Sequence, residues 1–187
     1  MAIEDKERWN TKYQNKQTPN LPTEIVKEYA SFSSGKVALD VACGLGRHSK
    51  YLAKQGFKVD ALDISSVAIS KLQNIENITA IEVDFDTYTL QKKKYDLIVC
   101  TYYLERKIFS QMIDALKPNG ILIMETFIQH TINEREPSNP LFMLHSGELE
   151  SFFKKRCEIL HIKEWIDSDY QGFKTMKTSM VARKKRE

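Results

Sequence analysis

Short, dense apolar runs alternate along this chain with stretches whose apolar residues recur every three to four positions. That alternation predicts strands followed by helices. Val37-Ala38-Leu39-Asp40-Val41-Ala42 reads as a buried strand, and Phe57 to Leu62 as a second that ends at Asp63. Thr79 to Val83 is a third, ending at Asp84; Tyr95 to Cys100 is a fourth and Ile121 to Phe127 a fifth. Between them Leu45, His48 and Leu52 share one helical face, with Gly56 as a helix stop. Val67, Ile69, Leu72 and Ile75 lie along another helix, capped by Ser65 or Ser66. Ile108, Met112, Ile113 and Leu116 make a third over 106–117, broken by Lys117-Pro118-Asn119-Gly120, while residues 84–94 cross over with little helical signal. Alternation of this kind builds a doubly wound α/β domain, its sheet mostly parallel with helices on both faces.

The two ends depart from that rhythm. Residues 1–20 are polar, with Trp9 and Tyr13 spaced to share one face of a short helix. Pro22 opens a helix through Ile25, Val26 and Tyr29. Beyond residue 128 a polar loop, Gln129 to Pro140, leads to a helix starting near Ser146. The β-forming segments Cys157–Trp165 and Phe173–Ala182 then read as an antiparallel hairpin closing one side of the sheet.

Composition adds boundaries rather than identity. A chain of 187 residues that is 42% hydrophobic can bury a core without disulfide or metal staples. No run approaches the roughly 18 apolar residues of a membrane span. The polar, acidic opening is unlike a secretory signal. Cys43, Cys100 and Cys157 are an odd number with no metal-type spacing, so no metal is expected and a reducing cytoplasmic home fits best. Part of the net charge of +3 sits in Arg183-Lys184-Lys185-Arg186. Such an end is more often a solvated terminus than a nucleic-acid contact, which makes nucleic acid an unlikely partner.

The chemistry concentrates in residues 37–65. A strand ends in a turn where Gly44 and Gly46 let a ligand approach the backbone, and the turn opens a helix. Asp63 ends the neighbouring strand, where an acid accepts hydrogen bonds from ribose hydroxyls. The dinucleotide fingerprint needs a third glycine three residues after the second, and Ser49 stands there. Asp40 adds an acid that suits a cationic amino-acid ligand and repels a phosphate. A P-loop fails outright, because no Gly-Lys-Ser/Thr follows the turn.

Asp40-Val41-Ala42-Cys43-Gly44-Leu45-Gly46-Arg47-His48-Ser49, with Tyr51-Leu52-Ala53, Gly56-Phe57 and Asp63-Ile64-Ser65, resembles the first two motifs of class I S-adenosylmethionine (SAM)-dependent methyltransferases. Among these it is most similar to the small tellurite-resistance-type enzymes. The likeness covers residues 37–127, and extends more weakly through Trp9-Asn10 and Tyr13 and through Asn139-Pro140, Leu144 and Glu148-Leu149. The resemblance implies a Rossmann-like sheet of seven strands with the last antiparallel. It implies one domain over 1–187: a helical cap (1–35), a SAM-binding core (36–127), and a substrate loop with hairpin (128–187). By the same likeness Asp40, Ala42, Cys43 and Gly44 line the methionine part of SAM, and Gly46 permits close approach. Asp63 holds the ribose hydroxyls and Ile64 lies against the adenine, which Asp84 and Phe85 also meet. Thr101 and Tyr102 border the methyl donor and its acceptor.

The expected function is methyl transfer by in-line displacement to a small-molecule acceptor: a thiol, an oxyanion or a metalloid. An RNA or protein methyltransferase and a non-catalytic SAM-binding regulator are the alternatives. No catalytic residue stands out; Tyr102, His130 and His145 are candidates, the histidines for their place in or beside the 128–146 loop. Cys43 reads as a small buried thiol and not a nucleophile. Cys100-Thr101-Tyr102-Tyr103 follows the fourth strand in place of an Asn/Asp-Pro-Pro-Tyr motif, which counts against the amino-methylating enzymes.

Overall fold

The computed structural model describes residues 2–15, 19–135, 140–169 and 171–186, with backbone alone at 2, 3, 15 and 140. Asn139 and the residues around it in the predicted 129–140 loop lie outside that set. Seven strands form one sheet: β1 (Val37–Val41), β2 (Lys58–Asp63), β3 (Ile78–Glu82), β4 (Tyr95–Thr101), β5 (Leu116–Phe127), β6 (Cys157–Ser168) and β7 (Lys174–Lys184). Their order is β3-β2-β1-β4-β5-β7-β6. The first five run parallel, and β7 lies antiparallel between β5 and β6. The doubly wound fold and its C-terminal hairpin are therefore as the sequence implies.

Strand periodicity explains the layers. Leu39, Val41, Ile98, Leu122 and Met180 point to one face, where they meet Phe109 and Met112 of helix α5 (Ile108–Ala115) and Phe153 of α6 (Glu148–Phe153). Ala38, Val99, Ile123 and Val181 point to the other, against Ile25 and Val26 of α2 (Glu24–Tyr29) and Leu52 of α3 (Arg47–Lys54). Each fully buried side chain of this size contributes about 1.5–3 kcal/mol. The central strands are apolar on both faces because both are covered.

Several elements differ in extent from expectation. Helix α4 (Ser66–Ser70) stops before Leu72 and Ile75. Its cap is Ser65, whose Oγ accepts from the Ala68 amide at 3.2 Å. Helix α5 ends at Ala115 because Leu116 turns extended and pairs with Tyr95, so Lys117-Pro118-Asn119-Gly120 lies within β5 as an irregularity. Near Ser146, Gly147 at φ 72 opens α6.

The basic end is not a free patch. Lys184 is buried with its Nζ donating to the Leu116 carbonyl at 3.0 Å, Arg183 pairs with Glu158, and Arg186 donates to Asn119. Among the described residues no helix is long and apolar enough to cross a membrane.

Candidate active site

The glycine turn sits at the carboxyl ends of β1 and β2, where open α/β sheets bind ligands. Ala42, Gly44 and Gly46 all take positive φ, at 53°, 53° and 73°. The turn's amides face inward: Cys43 N donates to Leu62 O at 2.9 Å, Gly46 N to Cys43 O at 2.9 Å, and Gly44 N to Asp63 Oδ2 at 2.7 Å. With those three donors engaged, the turn is poorly equipped for a pyrophosphate. Carbonyls and carboxylates are what it offers, and they suit a ligand carrying an ammonium and hydroxyls.

Asp40 caps the helix that the turn opens. Helix α3 begins at Gly46, which has no side chain to cap it. Asp40 supplies the cap from β1, its Oδ2 accepting from Ser49 N at 3.0 Å and Ser49 Oγ at 2.6 Å. Burial pushes its carboxyl up to about 7 despite those bonds and the nearby Arg47. Asp63 uses both oxygens, Oδ1 accepting from Ser65 N at 2.9 Å, and burial raises it as well. Two buried acids thus flank the turn. Cys43 is buried beside it with a thiol that burial holds well above its ordinary range, so it stays protonated.

Helix α1 (Ala2–Asn15) lies over this turn. Tyr13 is buried, and a Cβ added to Gly44 would stand 2.8 Å from its hydroxyl. Trp9 stacks on Tyr13 at 5.4 Å. Asn10 ties the helix down by accepting from Ser65 Oγ at 2.6 Å and Val67 N at 3.2 Å, and Lys71 Nζ donates to the Tyr13 carbonyl.

A second polar group stands at the ends of β4, β5 and β7. Thr101 and Glu125 are cross-strand partners, as are Phe127 and Lys177. Tyr102, at φ 55, is held by two bonds to Glu125: its N–H to the carbonyl at 2.8 Å and its hydroxyl to Oε1 at 2.6 Å. Glu125 is buried, which raises its carboxyl above the usual range. Burial and Glu125 together raise Tyr102 as well. Arg47 and Lys177 lie 5.4 and 5.6 Å from the Tyr102 ring, and Lys177 also pairs with Asp167 at 2.8 Å. The sequence reading missed Glu125 and Lys177. Their signal was a charge placed inside a run of strand formers.

His48 is buried, and burial with Arg47 pulls it down to about 3, so the ring is neutral. Thr23 N donates to its Nε2 at 3.3 Å, which leaves the proton on Nδ1, 3.5 Å from Thr101 Oγ1. The other candidates stand apart. Ile64 is half-buried at the end of β2. Asp84 Oδ1 accepts from Asp86 N, and Phe85 packs into the core against Tyr103 at 5.4 Å. His130 Nδ1 accepts from Ile132 N on an exposed turn. His145 is exposed in a groove of about 470 Å³ with Ser146, Gly147, Glu148, Ser151, Phe152 and Lys155. Among the described residues no cluster of His, Cys, Asp and Glu could hold a metal ion.

A family model described as tellurite resistance protein TehB matches residues 1–171. The chain belongs to the TehB family. The TehB structure from Haemophilus influenzae superposes with a TM-score of 0.75 at 25% identity, covering 96% of this chain and 67% of that one. A ubiquinone biosynthesis O-methyltransferase from Pasteurella multocida is 27% identical over 121 residues, 54% of this chain and 50% of that protein. A mitochondrial ubiquinone biosynthesis O-methyltransferase from Schizosaccharomyces pombe is 25% identical over 170 residues, 80% of this chain and 62% of that protein. This TehB-family chain therefore spans 50% and 62% of the length of these two relatives, less than two thirds of either. The matches bear out the resemblance to class I SAM-dependent methyltransferases, with SAM as the cofactor of the group.

Proposed function

We propose that this TehB-family protein transfers the methyl group of SAM to an oxygen of a small molecule. The observation that carries the reading is the pair of buried acids, Asp40 and Asp63, flanking a turn whose amides are already bonded inward. In this reading Asp63 and Ile64 take the ribose and adenine side, with Asp84 and Phe85 beyond them. Asp40, Ala42, Cys43, Gly44 and Gly46 border the amino-acid end, and Thr101 and Tyr102 border the methyl. SAM, when bound, supplies a methyl already activated by the sulfonium charge. The chain's own contribution is to position the acceptor and exclude water, which in well-oriented systems supplies up to about 7–11 kcal/mol. Residues 1–35 act as the cap, 36–127 as the cofactor core, and 128–187 as the substrate loop and hairpin of one domain.

An oxygen acceptor is favoured by the O-methyltransferase names of the relatives. A chalcogen oxyanion is the second reading, and the name of the family supports it. Calorimetric titration with SAM, S-adenosylhomocysteine and NAD tests the cofactor: micromolar binding of the first two and none of NAD is expected. Absence of binding by both would overturn the reading.

A further inference from the structure

We propose that Tyr102, Glu125 and Arg47 form the acceptor end of the site, built for a small molecule that carries both a neutral hydroxyl and an anionic group. This rests on the methyltransfer reading above. A bulky residue at φ 55 is strained, and such strain persists only where its surroundings over-determine it. Here both the backbone and the hydroxyl of Tyr102 are fixed to Glu125. Because that hydroxyl donates to Glu125, the lone pairs of its oxygen are what it has left to offer, and they accept a proton from a neighbouring hydroxyl. Burial raises Glu125 above the usual carboxylate range, while the Tyr102 hydroxyl and Lys177 pull it toward its ionised form, the state able to receive a proton. Arg47 is half-buried at the start of α3. Its charge acts on Tyr13, Asp40, Tyr102 and Glu125, yet among the described residues its guanidinium makes no hydrogen bond or ion pair and only faces the Tyr102 ring. Guanidinium forks of this kind bind carboxylates and other oxyanions.

The step balances as follows. The acceptor oxygen bonds to the transferred methyl as the methyl–sulfur bond breaks. The acceptor's proton passes to the Tyr102 oxygen while the Tyr102 proton passes to Glu125, leaving a neutral thioether, a methyl ether and a neutral Glu125. Tyr102 touches the acceptor; Glu125 acts through Tyr102 as a positioning residue.

The test uses the purified full chain with SAM and matched probes: salicylate, para-hydroxybenzoate and lactate beside phenol, isopropanol, a thiol and an amine. Release of S-adenosylhomocysteine reads turnover, and calorimetry on protein loaded with S-adenosylhomocysteine reads probe binding. Hydroxy acids should bind and be methylated in preference to the neutral probes. Glu125→Gln keeps an acceptor for Tyr102, and with Tyr102→Phe it should lower kcat about 100-fold or more with KM and SAM affinity unchanged. Arg47→Met should raise KM for the acids about tenfold and leave neutral probes alone, with Arg47→Lys restoring part of the loss. SAM binding without binding or methylation of any hydroxy acid overturns the proposal, as does a wild-type rate in Tyr102→Phe. Failure of the wild-type protein to bind SAM overturns the methyltransfer reading itself, so the two failures are distinguishable.

Discussion

The two halves of the sheet carry polar groups in different ways. At the ends of β1 and β2 two strand carboxylates bond to backbone amides of the turns beside them and of the helix that follows: Asp40 to Ser49, Asp63 to Gly44 and Ser65. At the ends of β4, β5 and β7 the polar groups are side chains of β5, of β7 and of the residue after β4, and sheet register with the Tyr102–Glu125 bonds brings Tyr102, Glu125 and Lys177 together. In the proposed function the first arrangement takes the cofactor, through backbone groups and the carboxylates that fix them. The second is assembled from side chains, so its specificity can change without changing the fold.

The sharpest test of the first half is Gly46→Val. At φ 73 a branched side chain is strained, and its Cβ would stand 2.5 Å from Leu72 Cδ2. Strain and overpacking together should cost about 3 kcal/mol, seen as a lower urea midpoint. A variant of unchanged stability would mean that the turn is not the rigid element that separates the halves.

Asp63→Ala divides the halves by function. It should weaken SAM binding by about 1.5–3 kcal/mol, the scale for hydrogen bonds to a charged group, as measured by calorimetry. Loss of affinity in Asp63→Ala and retained affinity in Glu125→Gln would establish the division. Equal losses in both would erase it.

The same contrast explains what the sequence disclosed. Turn and strand-end residues announce themselves through glycine spacing and an acid near the end of an apolar run, so the placement of Asp40, Gly44 and Asp63 around one turn was legible. Glu125 and Lys177 were not, since a charge within a strand reads as an exposed position until pairing shows both to be buried. The strand order is a property of the folded sheet; the number of strands and the antiparallel hairpin followed from the alternation and the resemblance. The end of α5 did not, because Leu116 belongs to a helical stripe and its pairing with Tyr95 is a tertiary fact. Asp40 as the cap of α3 was equally hidden, being supplied from another element.

Titration gives a subtler probe of the cofactor half. Asp40 is raised from 3.8 to about 7, so the folded state binds its proton more tightly and the stability it contributes fades as pH rises through that window. His48 is lowered from 6.5 to about 3, so its contribution is present above 6.5 and fades as pH falls. Between these limits the two slopes oppose each other. Asp40→Asn removes one of them, and between about pH 4 and 6.5 its urea stability should rise with pH more steeply than the wild type's, by at most about 1.4 kcal/mol per unit. Parallel profiles would mean that Asp40 is ionised in the folded protein across that range.

The smallest effect concerns the helix that lies over the turn. Asn10→Ala removes the acceptor for Ser65 Oγ and Val67 N, a loss of about 1 kcal/mol in the docking of α1. Ser65 keeps its cap to Ala68, so α4 should stay intact. If α1 closes over bound SAM, that loss appears as about fivefold weaker SAM binding. If Trp9 and Tyr13 only staple the N-terminal segment, affinity is unchanged and the urea midpoint falls instead. Calorimetry and denaturation on one variant therefore decide whether α1 belongs to the cofactor half or merely rests on it.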